Sequence, residues 1–169
     1  MTIRQYRYFC KETKGLDFEG MIEDLSKATP GSCVLLHTCA HNPTGVDPSL
    51  DQWKEIAKVC KENRLFPYFD TAYQGFVSGN PDEDGVGLRY FLDEGFEMAI
   101  SQSFAKIMGL YGERIGALHF VCKDKETASR LVSQVKGIIR QNYSSPPRNG
   151  ARIVALILND EAMRAQWMQ

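Results

Sequence analysis

The chemically loaded stretch of this sequence places a lysine among a hydroxyl, several glycines and an arginine: Ser103-Phe-Ala-Lys106-Ile-Met-Gly-Leu-Tyr-Gly-Glu-Arg114. A lysine amine at the mouth of a pocket either closes an ion pair or attacks a carbonyl to form a Schiff base. The surroundings of Lys106 favour the second use. Glycine backbone N–H groups, the Ser103 hydroxyl and the Arg114 guanidinium can together cradle a phosphate. A phosphorylated carbonyl compound that reacts with a lysine points to pyridoxal 5′-phosphate. The pyridine nitrogen of that group needs a carboxylate against it to work as an electron sink. Asp70 suits that role, although taken alone it reads equally well as a turn or helix cap.

These groups act together only if the fold brings them to one edge. A helix opens at Asp17 with Phe18, Met21, Ile22, Leu25 and Ala28 on one stripe, and Pro30-Gly31 ends it. Cys33 to His37 is continuously apolar until its last residue, the pattern of a parallel strand buried on both faces. A second helix from about Ser49 carries Leu50, Trp53, Ile56, Ala57 and Cys60 at helical spacing, and Leu65 to Phe69 is the next strand, ending at Asp70. The stretch from Gly75 to Gly87 reads as loop, Arg89 to Glu94 as a short helix, Glu97 to Ser101 as a strand and Gly116 to Cys122 as another. A long helix over Lys125 to Gln141 turns Ala128, Leu131, Val132, Val135, Ile138 and Ile139 inward; Ser144-Ser-Pro-Pro147 breaks the chain before a helical run from Ala151 to Leu158. Alternation at Ile3, Tyr6 and Tyr8 reads as a strand at the very start. Strands alternating with helices imply an α/β fold of three layers, a mostly parallel sheet with helices on both faces. Ligands of such sheets gather at the carboxyl ends of the strands. Three strands there run into Ala40-His-Asn42-Pro-Thr-Gly45, Asp70-Thr-Ala-Tyr73 and Ser101-Gln-Ser103-Phe-Ala-Lys106, which brings Asn42, Asp70, Tyr73, Ser103 and Lys106 to one edge.

Three segments carry a specific resemblance: His41-Asn-Pro-Thr-Gly45, Asp70-Thr-Ala-Tyr-Gln-Gly-Phe76 and Ser101-Gln-Ser-Phe-Ala-Lys-Ile-Met-Gly-Leu-Tyr-Gly-Glu-Arg-Ile-Gly116. In this order they resemble the aspartate aminotransferases, fold-type I pyridoxal-phosphate enzymes, and the resemblance runs through essentially the whole chain. It implies amino-group transfer between L-aspartate and 2-oxoglutarate, giving oxaloacetate and L-glutamate. Lys106 would bind the cofactor covalently and carry the catalytic proton. Asp70 would face the pyridine nitrogen, Tyr73 and Asn42 the 3′ oxygen, and Ser103 and Arg114 the phosphate. Asn42 would also help hold the substrate α-carboxylate, with a cis Asn42-Pro43 bond. Arg140, just before Tyr143-Ser-Ser-Pro-Pro147, matches an arginine that reaches across a homodimer to clamp the distal carboxylate, a task suited to a planar fork; its plain alternative is a solvated charge at a helix end. The chain departs from the family at Ile107 and at Ser145, where asparagine is usual. By the same resemblance, residues 1–169 are expected to be a partial pyridoxal-phosphate-binding large domain. Its N-terminal part would lie upstream and the small domain downstream, so that the fragment alone would be inactive.

Composition narrows the classes. The 169 residues are 43% hydrophobic, enough for a core, and carry a formal charge of −1, so no basic face points to nucleic acid. The longest aliphatic run, Ile153 to Leu158, is too short for a membrane span. Five cysteines without a CxxC pair read as buried free thiols of a reducing compartment, and no targeting signal is legible. An intracellular setting follows, the cytoplasm ahead of the mitochondrion. Small-molecule amino acids and 2-oxo acids are then the expected partners.

Rival readings attach to the same residues. An aromatic or broad-specificity aminotransferase of the same fold is one, and a non-catalytic folded fragment is another. A metal-binding module is the third, because His37, Cys39 and His41 at alternate positions share one face of a strand; packed side chains are the expectation there, and His119 is expected to be a core residue. Ser103-x-x-Lys106 also matches a serine β-lactamase motif, but the accompanying Lys-Thr-Gly and Ser-Asp-Asn are absent. Gly85-x-Gly87 lacks the third glycine of a dinucleotide loop.

Overall fold

The computed structural model describes residues 2–169. A small antiparallel hairpin, β1 (Phe9–Cys10) and β2 (Gly15–Leu16), leads into α1 (Phe18–Ser26), whose N-cap Asp17 accepts the N–H of Gly20. There follow β3 (Cys33–His37), α2 (Leu50–Glu62), β4 (Phe66–Thr71), α3 (Pro81–Asp84), α4 (Val86–Asp93) and β5 (Met98–Ser103). Next come α5 (Phe104–Ile107), β6 (Gly116–Val121), α6 (Lys125–Asn142), α7 (Asn149–Asn159) and α8 (Glu161–Trp167). The second helix starts where its chemistry dictates: Ser49 and Gln52 form a reciprocal capping box.

The main sheet has the order β3-β4-β5-β6, with β3, β4 and β5 parallel and β6 antiparallel to β5. This is the expected α/β class with a mostly parallel sheet. Strand alternation sends Val34, Leu36 and Phe69 into a core closed by Met21, Leu25, Trp53, Ile56 and Phe91 from α1, α2 and α4. Phe69 is fully buried, with its ring centroid 5.9 Å from Trp53 and 5.2 Å from Phe91. That aromatic cluster fixes β4 one residue before Asp70. A second, smaller cluster joins Phe104 and Ile107 of α5 to Val154 of α7 and to Trp167, whose indole N–H donates to the Ile107 carbonyl at 3.0 Å. It holds the short helix that carries Lys106.

Several expectations are corrected. The segment with Ile3, Tyr6 and Tyr8 is not a strand: the two tyrosine rings pack at 6.3 Å, and their hydroxyls donate to the carbonyls of Leu35 and Val46, both at 2.7 Å. The third β-strand is buried on one face only, with Leu35 on the other face 47% exposed; Leu118 on the same face of β6 is 53% exposed. The stretch 75–87 contains α3 and the start of α4, opened by Asn80 as N-cap and Pro81 at the first helical position. His119 is exposed because β6 is an edge strand beyond the helices. No residue of α6 is buried, and Ile138, expected inward, is 58% exposed. The thiols are all free, but Cys39 and Cys60 alone are buried, while Cys33 is exposed. Among the described residues no helix is long and apolar enough to cross a membrane.

Candidate active site

The parallel register sets His37, Asp70 and Ser101 side by side on one face of the sheet, and the antiparallel register adds Leu118. Asp70 sits in the penultimate position of β4, half-buried, and its backbone carbonyl accepts the N–H of Thr38 at 3.0 Å. It caps no helix: the side-chain N-caps are Asp17, Ser49, Asn80, Ser103, Asp124 and Asp160. Its carboxylate instead opens on a cleft of about 420 Å³ that Ser101, Ser103, Arg114 and Tyr143 also line. Ser103 ends β5 and caps α5, accepting the Ala105 N–H at 3.3 Å. Arg114 is exposed and holds a left-handed backbone (φ 50°), unusual for a side chain of its size. One of its terminal nitrogens donates to the Tyr111 carbonyl at 3.3 Å.

Lys106 and Tyr73 form a pair of their own. The Nζ of Lys106 lies 5.3 Å from the centroid of the Tyr73 ring, and both residues are half-buried. Asn42 is exposed in the turn after β3, in a cis bond to Pro43 as expected, and its N–H donates to His37 Nδ1 at 3.1 Å. Arg140 is exposed in the last turn of α6 and donates to the Ser144 hydroxyl. Thus Asp70, Ser103 and Arg114 share one cleft, while Lys106 meets Tyr73 outside its lining, and neither Asn42 nor Arg140 lines it either. Ser101, whose hydroxyl is 2.6 Å from that of Tyr68, and Tyr143 line it without having been singled out from the sequence. The signal for Ser101 was its alternation with Ser103 on β5, which puts both on the Asp70 face.

The metal-ligand geometry does not form. The strand ends at His37, so the alternation that would align Cys39 and His41 with it stops there. His41 stacks on Tyr8 at 3.6 Å between centroids and bonds through Nδ1 to the Thr44 hydroxyl at 2.8 Å, while Cys39 is buried. Among the described residues no three His, Cys, Asp or Glu side chains are placed to hold a metal ion. Burial, with the neighbouring His37, pulls the His41 imidazole down to about 4, and burial beside Asp84 and Asp47 pushes the Cys39 thiol up to about 12.

Comparison with known proteins extends this geometry. The chain is 54% identical over 167 residues to the cytoplasmic aspartate aminotransferase of Oryza sativa subsp. japonica, a match covering 99% of this chain and 41% of that protein. The broad specificity aminotransferase of Leishmania mexicana superposes with a TM-score of 0.97 at 46% identity, over 99% of this chain and 42% of that one. The aromatic-amino-acid aminotransferase of Burkholderia pseudomallei, solved covalently bound to pyridoxal phosphate, superposes with a TM-score of 0.95 at 43% identity, over 97% and 41%. The chain therefore spans about two fifths of the length of the relatives it matches. The family model of aminotransferase class I and II matches residues 1–169 from end to end, and the cleft at the carboxyl edge of this sheet belongs to a member of that family.

Proposed function

We propose that this chain is the lysine-bearing part of the large domain of a pyridoxal-phosphate-dependent aminotransferase, acting between L-aspartate and 2-oxoglutarate. The observation that carries the reading is the convergence of Asp70, Ser103 and Arg114 on one cleft that Ala105 also lines, directly before the lysine that meets Tyr73. The donor set suits pyridoxal phosphate: a carboxylate for the ring nitrogen, a hydroxyl and a guanidinium for the phosphate, an amine for the aldehyde and a phenol for the ring oxygen. When bound, that group supplies the electron sink that labilises the bonds at the substrate α-carbon. Asp70 keeps the ring nitrogen protonated by offering it a fixed negative charge. Ser103 and Arg114 orient the phosphate. Lys106 would hold the group through Nζ, and the same amine would serve as the base that takes the substrate α-proton and returns it. Tyr73 and Asn42 hold the ring oxygen, and Arg140 clamps the distal carboxylate across a homodimer.

Aspartate is favoured over aromatic substrates because the relative at 54% identity is named an aspartate aminotransferase, whereas the aromatic enzyme stands at 43%. The test is Lys106→Ala in the complete protein. Borohydride reduction should fix the cofactor's mass on the parent and leave the variant unlabelled. Labelling of the variant would refute the assignment.

A further inference from the structure

Asp84 lies outside the cleft. Among the described residues it is the one charged side chain that is buried, at 7% exposure. A carboxylate leaves water only where other donors replace the lost hydration. Asp84 finds four such contacts, all in one loop. One oxygen accepts the N–H of Gly75 at 2.7 Å and of Val77 at 3.1 Å; the other accepts the N–H of Ser78 at 3.0 Å and the Ser78 hydroxyl at 2.7 Å. Burial works against the charged form, yet these bonds hold the carboxyl below its usual range.

The clamped loop is the one that carries Tyr73. No helix or strand supports residues 72–80, so the backbone donors of Gly75, Val77 and Ser78 depend on Asp84 from outside. The Phe76 N–H returns to the Tyr73 carbonyl at 2.9 Å, and Gly75 at φ 95° makes a turn that no side chain would tolerate cheaply. The side chain of Gln74 donates to the Pro81 carbonyl at 2.8 Å and accepts from the Gln102 amide at 3.3 Å, one residue before Ser103. We propose that Asp84 is a positioning residue for Tyr73, pinning the loop so that the phenol stays against Lys106 while Gln74–Gln102 ties the loop to the lysine-bearing segment. This rests on the reading of Tyr73 and Lys106 as cofactor contacts. The carboxylate never touches the reacting atoms; it acts through three backbone N–H groups and one hydroxyl.

The test uses the complete protein with Asp84→Asn, Ser78→Ala and, as a scale, Tyr73→Phe. In cofactor-free protein, Asp84→Asn should speed amide exchange at Gly75, Val77 and Ser78 about tenfold or more, with the α2 amides unchanged. In loaded protein it should move the pH midpoint of the cofactor's visible band in the same direction as Tyr73→Phe. The double variant should then shift by less than the sum of the two. A midpoint moved by Tyr73→Phe and not by Asp84→Asn overturns this inference alone. A midpoint that Tyr73→Phe itself does not move overturns the reading of Tyr73, and this inference with it. If Asp84→Asn does not fold, Ser78→Ala, which removes the 2.7 Å hydroxyl bond to Asp84 together with the hydroxyl's two contacts to the Asn80 backbone and leaves the three backbone N–H bonds in place, decides on the same two readouts with a smaller shift in the same direction.

Discussion

Replacing Asp70 by asparagine removes one charge while keeping shape, at a position where the fold asks nothing of that charge. The carboxylate caps no helix, and what fixes the residue is its backbone bond from Thr38 and the buried Phe69 beside it. The loss therefore falls on whatever faces the carboxylate in the cleft. Two opposite charges at hydrogen-bond separation, about 3 Å, attract by roughly 5 kcal/mol at an effective dielectric of about 20. Net values for hydrogen bonds to charged groups lie nearer 1.5–3 kcal/mol, by the general measure of such pairs. Asp70 is only half-buried, so the lower figure governs, and about 3 kcal/mol corresponds to about a 10²-fold loss of turnover. The assay is kcat for aspartate with 2-oxoglutarate in the complete protein at saturating cofactor, with circular dichroism as the control for folding. A variant within about threefold of the parent would show that no protonated ring nitrogen depends on this carboxylate.

Two further outcomes follow from the same geometry. Arg140→Ala should depress rates with aspartate and glutamate at least about tenfold more than with alanine or an aromatic amino acid, since a bidentate clamp serves only the distal carboxylate; equal losses on all substrates would make this arginine structural. His41, held at about 4 against an ordinary value near 6.5, is favoured neutral in the folded state, so its contribution is present above pH 6.5 and is lost as pH falls from 6.5 toward 4. Between pH 7 and pH 4.5 the parent should lose about 1 kcal/mol more stability than His41→Gln, after allowance for solvent screening. Equal losses in denaturant titrations would refute that account.

The sheet was legible in the sequence wherever burial left a one-residue record. Each of the three parallel strands could be read from its apolar run, and the polar residues at their ends mark the functional edge. The amphipathic stripes of α1 and α2 were equally plain, because both helices pack on the core. Failures came where one pattern serves two ends. Ile3, Tyr6 and Tyr8 alternate like a strand, yet Tyr6 and Tyr8 are anchored through their hydroxyls to distant carbonyls, contacts that periodicity does not encode. The apolar stripe of α6 predicts burial, but a stripe reports a face and not its partner, and among the described residues none of α6 is buried. The clamp at Asp84 was invisible because an aspartate in a glycine-rich stretch reads as a solvated turn residue. Only the folded chain shows four donors closing around it.

The antiparallel run of β6 gives the chain a measuring function. Strands β4 and β5 carry Asp70, Ser101 and Ser103 to the cleft near their carboxyl ends, but β6 starts there and leads away. Helix α6, with 18 residues and a rise of about 1.5 Å per residue, then covers some 27 Å and returns the chain to the same rim, where Tyr143 lines the cleft. That helix is thus a ruler whose length sets where Tyr143 and Arg140 arrive. One residue added within it would advance both by about 1.5 Å and swing them about 100° around the axis, moving the guanidinium off its bearing even though every residue of the cleft floor stayed in place. Tolerance to insertion in this chain follows the distance still to be measured, not the distance from the lysine.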